Sequence, residues 1–257
     1  MATKKLVKPA PKPATKPAWL DHPGLAASRK KLAAAVKSAG LGHRLDVIEA
    51  AAKPSIALSL TKAAKAPPGA SRLGGAPEVA PPKKLHFVAQ IALAEVHPLD
   101  LEGVLPAEGL LSFFAQLDPE GDDYAEVGQV VHAGAGGAPI AGVKPRAKAM
   151  GLLTPKLVLT LPYYEDPAFD RLKLTDEERE SYHDQVYLAV MPEEPAHLLL
   201  GYGSSGTEPS LEGRPFLAQF ASDDRIGFEE GDSQTLRYYF KGKTPSLGSV
   251  VCTLEDA

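Results

Sequence analysis

The chain has 257 residues, 44% of them hydrophobic and 23% charged, with a formal net charge of −4, which is enough for one large domain or two small ones around a buried core. No apolar run approaches the roughly 18 residues of a membrane helix, and the single Cys252 excludes an intrachain disulfide framework and a thiolate metal cluster. With no apolar segment near residue 1, the expectation is a cytoplasmic protein without a membrane partner.

Residues 1–18, MATKKLVKPAPKPATKPA, hold five lysines and no acid. Subtracting those five charges from −4 leaves −9 on the rest. Such a Lys/Pro/Ala stretch buries too little apolar surface to offset its ordering entropy, so residues 1–20 are expected to be a disordered basic leader and 21–257 a single domain. The leader has no interleaved aromatic residues for base stacking, so nucleic acid is expected to bind only weakly, through its charge.

Residues 24–39 place Leu25, Leu32, Val36 and Ala39 at helical spacing, with Gly40 as a stop. A shorter helix is predicted over 43–52, ended by Pro54. SIALSL (55–60) alternates like a strand, and the Pro- and Gly-rich residues 62–83 read as loop. Beyond Pro82, short β-branched and aromatic runs recur between turn residues, as antiparallel strands do. One helix interrupts them: Thr175 and Glu178 form a capping-box pattern, and Tyr182, Val186 and Val190 follow at four-residue spacing up to Pro192. Residues 132–142 read as a Gly/Ala loop.

Two of the strand runs echo each other. FVAQIALAEV (87–96) is followed by Leu111-Ser-Phe-Phe114, and FLAQFASDDR (216–225) by Leu236-Arg-Tyr-Tyr239. A duplicated β unit with a shared core accounts for the echo, with halves at about 55–165 and 195–257. The predicted fold class is therefore α+β, mainly antiparallel β with two related halves, an N-terminal helical pair and one further helix near 176–190.

HLLLGYGSSG (197–206) contains G-x-G-x-x-G, and Asp223 follows at a distance that suits a ribose-binding acid. The dinucleotide fold needs that loop to open a helix and a crossover of a dozen residues or more. Only TEPSLEGRP (207–215) separates Gly206 from Phe216, and it carries two prolines and a glycine. The loop is read instead as the connection between the two halves, and no cofactor is expected. No two histidines are three or four residues apart, so no metal site is expected. Ser204 and Ser205 lack the nucleophile elbow, and SVVCTL around Cys252 reads as a buried strand. A catalytic role is not expected.

Gln90 and Gln219 occupy the same place in the echo, each inside an apolar strand. A buried amide there must find partners, and bonds to the backbone of an adjacent strand or loop are the favoured reading. The functional alternative is a pocket between the halves that involves Arg72, Gln90, His197, Tyr202 and Gln219.

The succession Ser71-Arg-Leu-Gly74-Gly75-Ala-Pro77, LHFVAQIALAEV (85–96), LPAEGLLSFFAQLDPEG (105–121), HLLLGY (197–202), FLAQFASDD (216–224) and GDSQTLRYYF (231–240) resembles the YwqG-like proteins, a bacterial family of uncharacterised function. The resemblance covers roughly residues 50–255. It implies a mixed, mainly β fold with two related halves. It also implies an immunity or accessory protein for a bacterial toxin or secretion system. The chain departs from the family at Gly203, where a proline usually follows Gly-Tyr, and at Gly227-Phe228, where Trp-Gly is usual. The leading expectation is a non-catalytic protein-binding module. Its basic protein partner would be drawn to the acidic segments 118–124, 175–180 and 223–232. The alternative is a small-ligand or nucleotide sensor with its pocket between the two β halves.

Overall fold

The computed structural model describes residues 16–116, 128–134, 137–143, 147–193, 196–204, 213–228 and 234–256. Residues 1–15 of the expected leader, the acidic segment 118–124 and most of the loop after Ser204 lie outside these residues; residues 16–20 of that leader are described and belong to the fold, since Lys16 pairs with Asp46 and Glu49 and Leu20 is buried in a 3-10 turn (Ala18–Asp21). Helix α1 (Ala26–Ser38) buries Leu32, Ala35 and Val36, which share one face. It stops where Gly40 takes a left-handed φ of 72°. Helix α2 (Leu45–Ala51) buries Ile48 and Glu49. These two are the predicted helical pair.

The strands are β1 (Lys53–Ala63), β2 (Arg72–Leu73), β3 (His86–Ala92), β4 (Leu110–Ala115), β5 (Gly128–Ala133), β6 (Met150–Thr160), β7 (Leu198–Leu199), β8 (Phe216–Ala221), β9 (Gln234–Phe240) and β10 (Val250–Asp256). They form one antiparallel sheet in the order β10-β9-β8-β7-β1-β6-β2-β3-β4-β5. The sheet curls until its edge strands β5 and β10 come together, which almost closes a barrel. A short helix, α3 (Leu93–Val96), follows β3.

The order is a palindrome about the β1–β6 pair, whose eleven residues each run in continuous register from Lys53↔Thr160 to Ala63↔Met150. The units are thus β1–β5 and β6–β10. Strand β6, which a half drawn from 55 to 165 assigns to the first copy, holds in the second the place that β1 holds in the first. Each long strand leaves its own unit and pairs with the other's short one: β1 with β7, β6 with β2. The correspondence reaches single hydrogen bonds. Leu58 N–H donates to His197 O as Leu153 N–H does to Ser71 O, and Gly74 N–H donates to Val88 O as Leu200 N–H does to Leu217 O.

The echo motif is a bulge. Register shifts between Phe87 and Ala89 in β3 and between Phe216 and Ala218 in β8. The extra residue turns Val88 with Ala89, and Leu217 with Ala218, toward one core. That core fills the barrel. Phe113 and Tyr238, equivalent residues of the two units, meet edge-on at 5.0 Å, with Phe220 5.0 Å from Phe113. The barrel interior, where the two halves face each other, is therefore occupied by aromatic rings. A second core lies outside the sheet, where Leu157 and Leu159 of β6 pack with α1, α2 and the helix near 176–190.

That last helix differs from its prediction in one respect. Its capping box is formed, with Thr175 accepting from Glu178 N–H and the Glu178 side chain accepting from Thr175 N–H. It starts as α4 (Asp176–Ser181), passes through a π-helical turn (Tyr182–Tyr187) and ends as α5 (Leu188–Val190). Two short strands also depart from the sequence reading. Strand β2 lies inside the stretch read as loop, and only two residues of HLLL form β7. Both are cut off by left-handed backbone, at Gly74 and Gly75 (φ 71° and 75°) and at Leu200 and Gly201 (φ 60° and 76°).

Candidate functional site

The five sequence-predicted residues fall into separate networks. Arg72 and Gln90 are paired neighbours on β2 and β3, both buried. Arg72 Nη1 donates to Glu78 Oε1 at 2.7 Å and Nη2 to Ala76 O at 2.6 Å. Gln90 Nε2 reaches Ala70 O and Glu78 Oε1, both at 3.0 Å, and Gly69 N–H completes the cage around the carboxylate. Burial opposes ionisation of Glu78, yet the donors from Arg72, Gly69 and Gln90 outweigh it and hold the carboxyl below its ordinary range.

The second unit repeats the glutamine with different company. Gln219 Nε2 donates to Ala196 O (2.9 Å), the counterpart of Ala70 O, and to Ser204 Oγ (2.7 Å), while its Oε1 accepts from Ser204 N–H (2.9 Å). The buried Arg237, paired with Gln219 across β9, donates to Ser204 O. Ser204 thus spends its N–H, hydroxyl and carbonyl on β8 and β9. The part of the glycine loop described, up to Ser204, follows β7 inside the second unit, which corrects its reading as a joint between halves. Its first glycine, Gly201 at φ 76°, lies where a Cβ would stand 2.5 Å from Thr160 Oγ1, so only glycine fits there. Tyr202 is buried beside it. Its N–H donates to Thr160 Oγ1 and its hydroxyl to Ala51 O, and Lys53 Nζ lies 4.3 Å from its ring centre.

His197 is also fully buried, in contact with a different set. Its Nε2 is 3.2 Å from Asp223 Oδ2. Asp223, 1% exposed, accepts in addition from Arg225 Nε (2.9 Å to Oδ1), Nη2 (2.5 Å) and backbone N–H (3.0 Å). Burial pushes the Asp223 carboxyl up, but the bonds from Arg225 and His197 hold it far below its ordinary range. An ionised carboxylate can only accept, so His197 Nε2 is the donor. In the neutral ring Nδ1 is then a bare acceptor, and it has no partner. Asp223 is accordingly an interior residue and does not contribute to an acidic surface. Of the five predicted residues, His197 alone lines a described hollow. This hollow holds about 300 Å³ and is bounded by Ala57–Leu60, Pro192, Glu193, Ala196, His197 and Arg225.

A surface feature escaped the sequence reading. Among the described residues, the exposed large apolar side chains are Tyr164 (50%) and Leu188 (60%). They flank a ring cluster. Tyr163 lies 3.9 Å from Tyr164, 5.6 Å from His183 and 5.2 Å from Tyr187, and His183 stacks on Tyr187 at 10°. The π turn brings His183 and Leu188 onto one face by its i→i+5 bond. Glu165, Glu180 and Asp184 are exposed alongside in sequence, while Arg179 lies over the Phe169 ring. Glu178 is less available, since Arg44 and His43 share its carboxylate. The signals available in sequence were the Tyr163-Tyr164 pair and, in the helix, His183 one turn before Tyr187.

Among the described residues no group of three His, Cys, Asp or Glu could hold a metal ion, and no helix is long and apolar enough to cross a membrane. A search of the curated proteins found no relative that matches the chain. A family model does match, over residues 68–243, from β2 through β9. The chain belongs to the family described as a domain of unknown function, DUF1963.

Proposed function

We propose that the chain is a non-catalytic protein-binding module whose docking face is the Tyr164–His183–Leu188 patch and whose partner is a basic protein. The observation that carries this is the exposed Tyr164 packed in a ring cluster with His183, whose carbonyl accepts from the N–H of the exposed Leu188, with the carboxylates of Glu165, Glu180 and Asp184 exposed nearby in sequence. Apolar anchors on rigid elements with charges around them are how interfaces divide labour: the anchors supply affinity, the rim supplies steering. The buried polar groups favour the same reading, because Arg72, Glu78, Gln219 and Ser204 bond to one another and to backbone rather than converge on a cleft. An immunity or accessory role, implied by the YwqG-like resemblance, is the cellular form of this proposal.

The test is binding of fluorescent amphipathic peptides, Lys/Arg-rich or Asp/Glu-rich and of equal length, at low and high salt. The basic series is expected to bind, and more weakly as salt rises. Replacing Tyr164 and Leu188 together by serine should cost at least about tenfold in affinity. Replacing Glu180→Gln with Asp184→Asn should mainly flatten the salt dependence. Equal binding of the acidic series, or undiminished binding by the double serine variant, overturns the proposal.

A further inference from the structure

The hollow beside β1 is a junction between the two units. Strand β1 runs to Ala63, but β7 covers its edge only at Ile56 and Ala57, and Leu58 N–H goes to His197 O. Past that point β1 forms one wall, from the first unit. Pro192, Glu193, Ala196, His197 and Arg225 form the others, from the second.

Two polar groups there are not fully spent. The Arg225 guanidinium has five N–H donors. Nε and Nη2 hold Asp223 and Nη1 holds Leu60 O at 3.2 Å, which leaves two donors on a side chain that is half exposed. Its position is fixed from both sides, so those donors are preorganised. Glu193 contributes an exposed carboxylate.

The charge arrangement selects the ligand. Asp223 already balances Arg225 at 2.5 Å, and Glu193 adds a negative charge, so a simple anion would arrive uncompensated. A zwitterion satisfies both ends: its carboxylate meets the free N–H groups of Arg225, and its ammonium meets Glu193. About 300 Å³ lies at the small end of ligand sites. We propose that this hollow binds a free α-amino acid, with Arg225 as the carboxylate clamp and Glu193 as the ammonium acceptor.

The first unit lacks the site. Matching Leu58 to Leu153 and His197 to Ser71 through their shared hydrogen-bond pattern puts Pro155 in place of Leu60. Ser71 Oγ is already engaged by Ala92 N–H. The duplication therefore carries one copy of the hollow, which predicts one ligand per chain.

The test uses the full chain in a thermal-shift screen with glycine, alanine, leucine, glutamate and lysine, each against propionate and propylamine as one-ended controls. At least one amino acid at about 10 mM should raise Tm by about 3 °C while neither control does. The exposed Glu193→Gln variant should lose at least about tenfold in amino-acid affinity with its unliganded Tm unchanged, which keeps the test valid even if Arg225→Gln fails to fold. The side-chain ¹⁵N–¹H signals of Arg225 should shift on titration. No response to any amino acid overturns the proposal, as does propionate binding that equals amino-acid binding and ignores Glu193→Gln.

Discussion

Replacing Glu78 by glutamine tests the account of the buried polar network. The carboxylate is fully buried, the Arg72 side chain is 3% exposed, and three donors converge on the acid: Arg72 Nη1 at 2.7 Å, Gln90 Nε2 at 3.0 Å and Gly69 N–H at about the same distance. The amide keeps the shape but removes the charge and one acceptor, so Arg72 is left buried and under-compensated. Breaking one side of such a pair costs about 3–5 kcal/mol, because the desolvated partner has nowhere to go. For a chain of this size that corresponds to a loss of about 10 °C in Tm. Removing both charges is a different perturbation. The second unit shows Leu198 where the first has Arg72, as the pairings Arg72↔Gln90 and Leu198↔Gln219 establish. The double variant Arg72→Leu/Glu78→Leu should therefore recover most of the loss. Urea unfolding followed by circular dichroism measures both. The pH dependence supplies an independent reading. Since the folded-state pKa of Glu78 lies below its ordinary 4.5, its stabilisation is complete at neutral pH and disappears as pH falls below that value. The Glu78→Gln variant should lack that component. A cost under about 1 kcal/mol for the single variant, or a double variant no more stable than it, refutes the reasoning.

Gly201→Ala should cost about 2–5 kcal/mol, because a Cβ at φ 76° would meet Thr160 Oγ1 at 2.5 Å and Ser55 Cβ at 2.7 Å. Gly40→Ala, at φ 72° with nothing within 4 Å, should cost only about 1 kcal/mol in the same denaturation assay. Asp223→Asn should abolish an acid-sensitive component of stability that the parent retains to well below pH 3.8, since the native carboxyl is held far under that ordinary value. The check is Tm against pH for the two proteins. Phe113→Leu, which removes the ring that touches both Phe220 and Tyr238, should destabilise by about 1–3 kcal/mol as the shared core loosens. Unfolding that stays single and cooperative by both circular dichroism and Trp19 fluorescence would agree with one core serving both units.

Local chemistry was legible in the sequence wherever a residue acts on its chain neighbours. The Thr175–Glu178 capping box, the helical face of Leu32 and Val36, the echoed F-x-A-Q strands and the stop at Gly40 each depend on spacing alone. The amphipathic alternation that makes a mainly antiparallel fold, and the echo that makes two related halves, are of the same kind. Position in space is not. That β1 and β6 exchange partners between units depends on where each eleven-residue strand finds an uncovered edge, and no local pattern encodes it. Asp223 looked like a surface acid because acids usually are, yet Arg225 and His197, the latter 26 residues away, convert it into an interior ion. Arg237, set between two core residues in LRYY, reads as a strand anomaly until Ser204 arrives beside it. The ring cluster of Tyr163, Tyr164, His183 and Tyr187 exists only because a π turn rotates one end of a helix against the segment after β6. Short-range spacing fixes which elements form. The pairing of distant edges, which trades loop entropy against buried area and satisfied hydrogen bonds, decides which side chains meet.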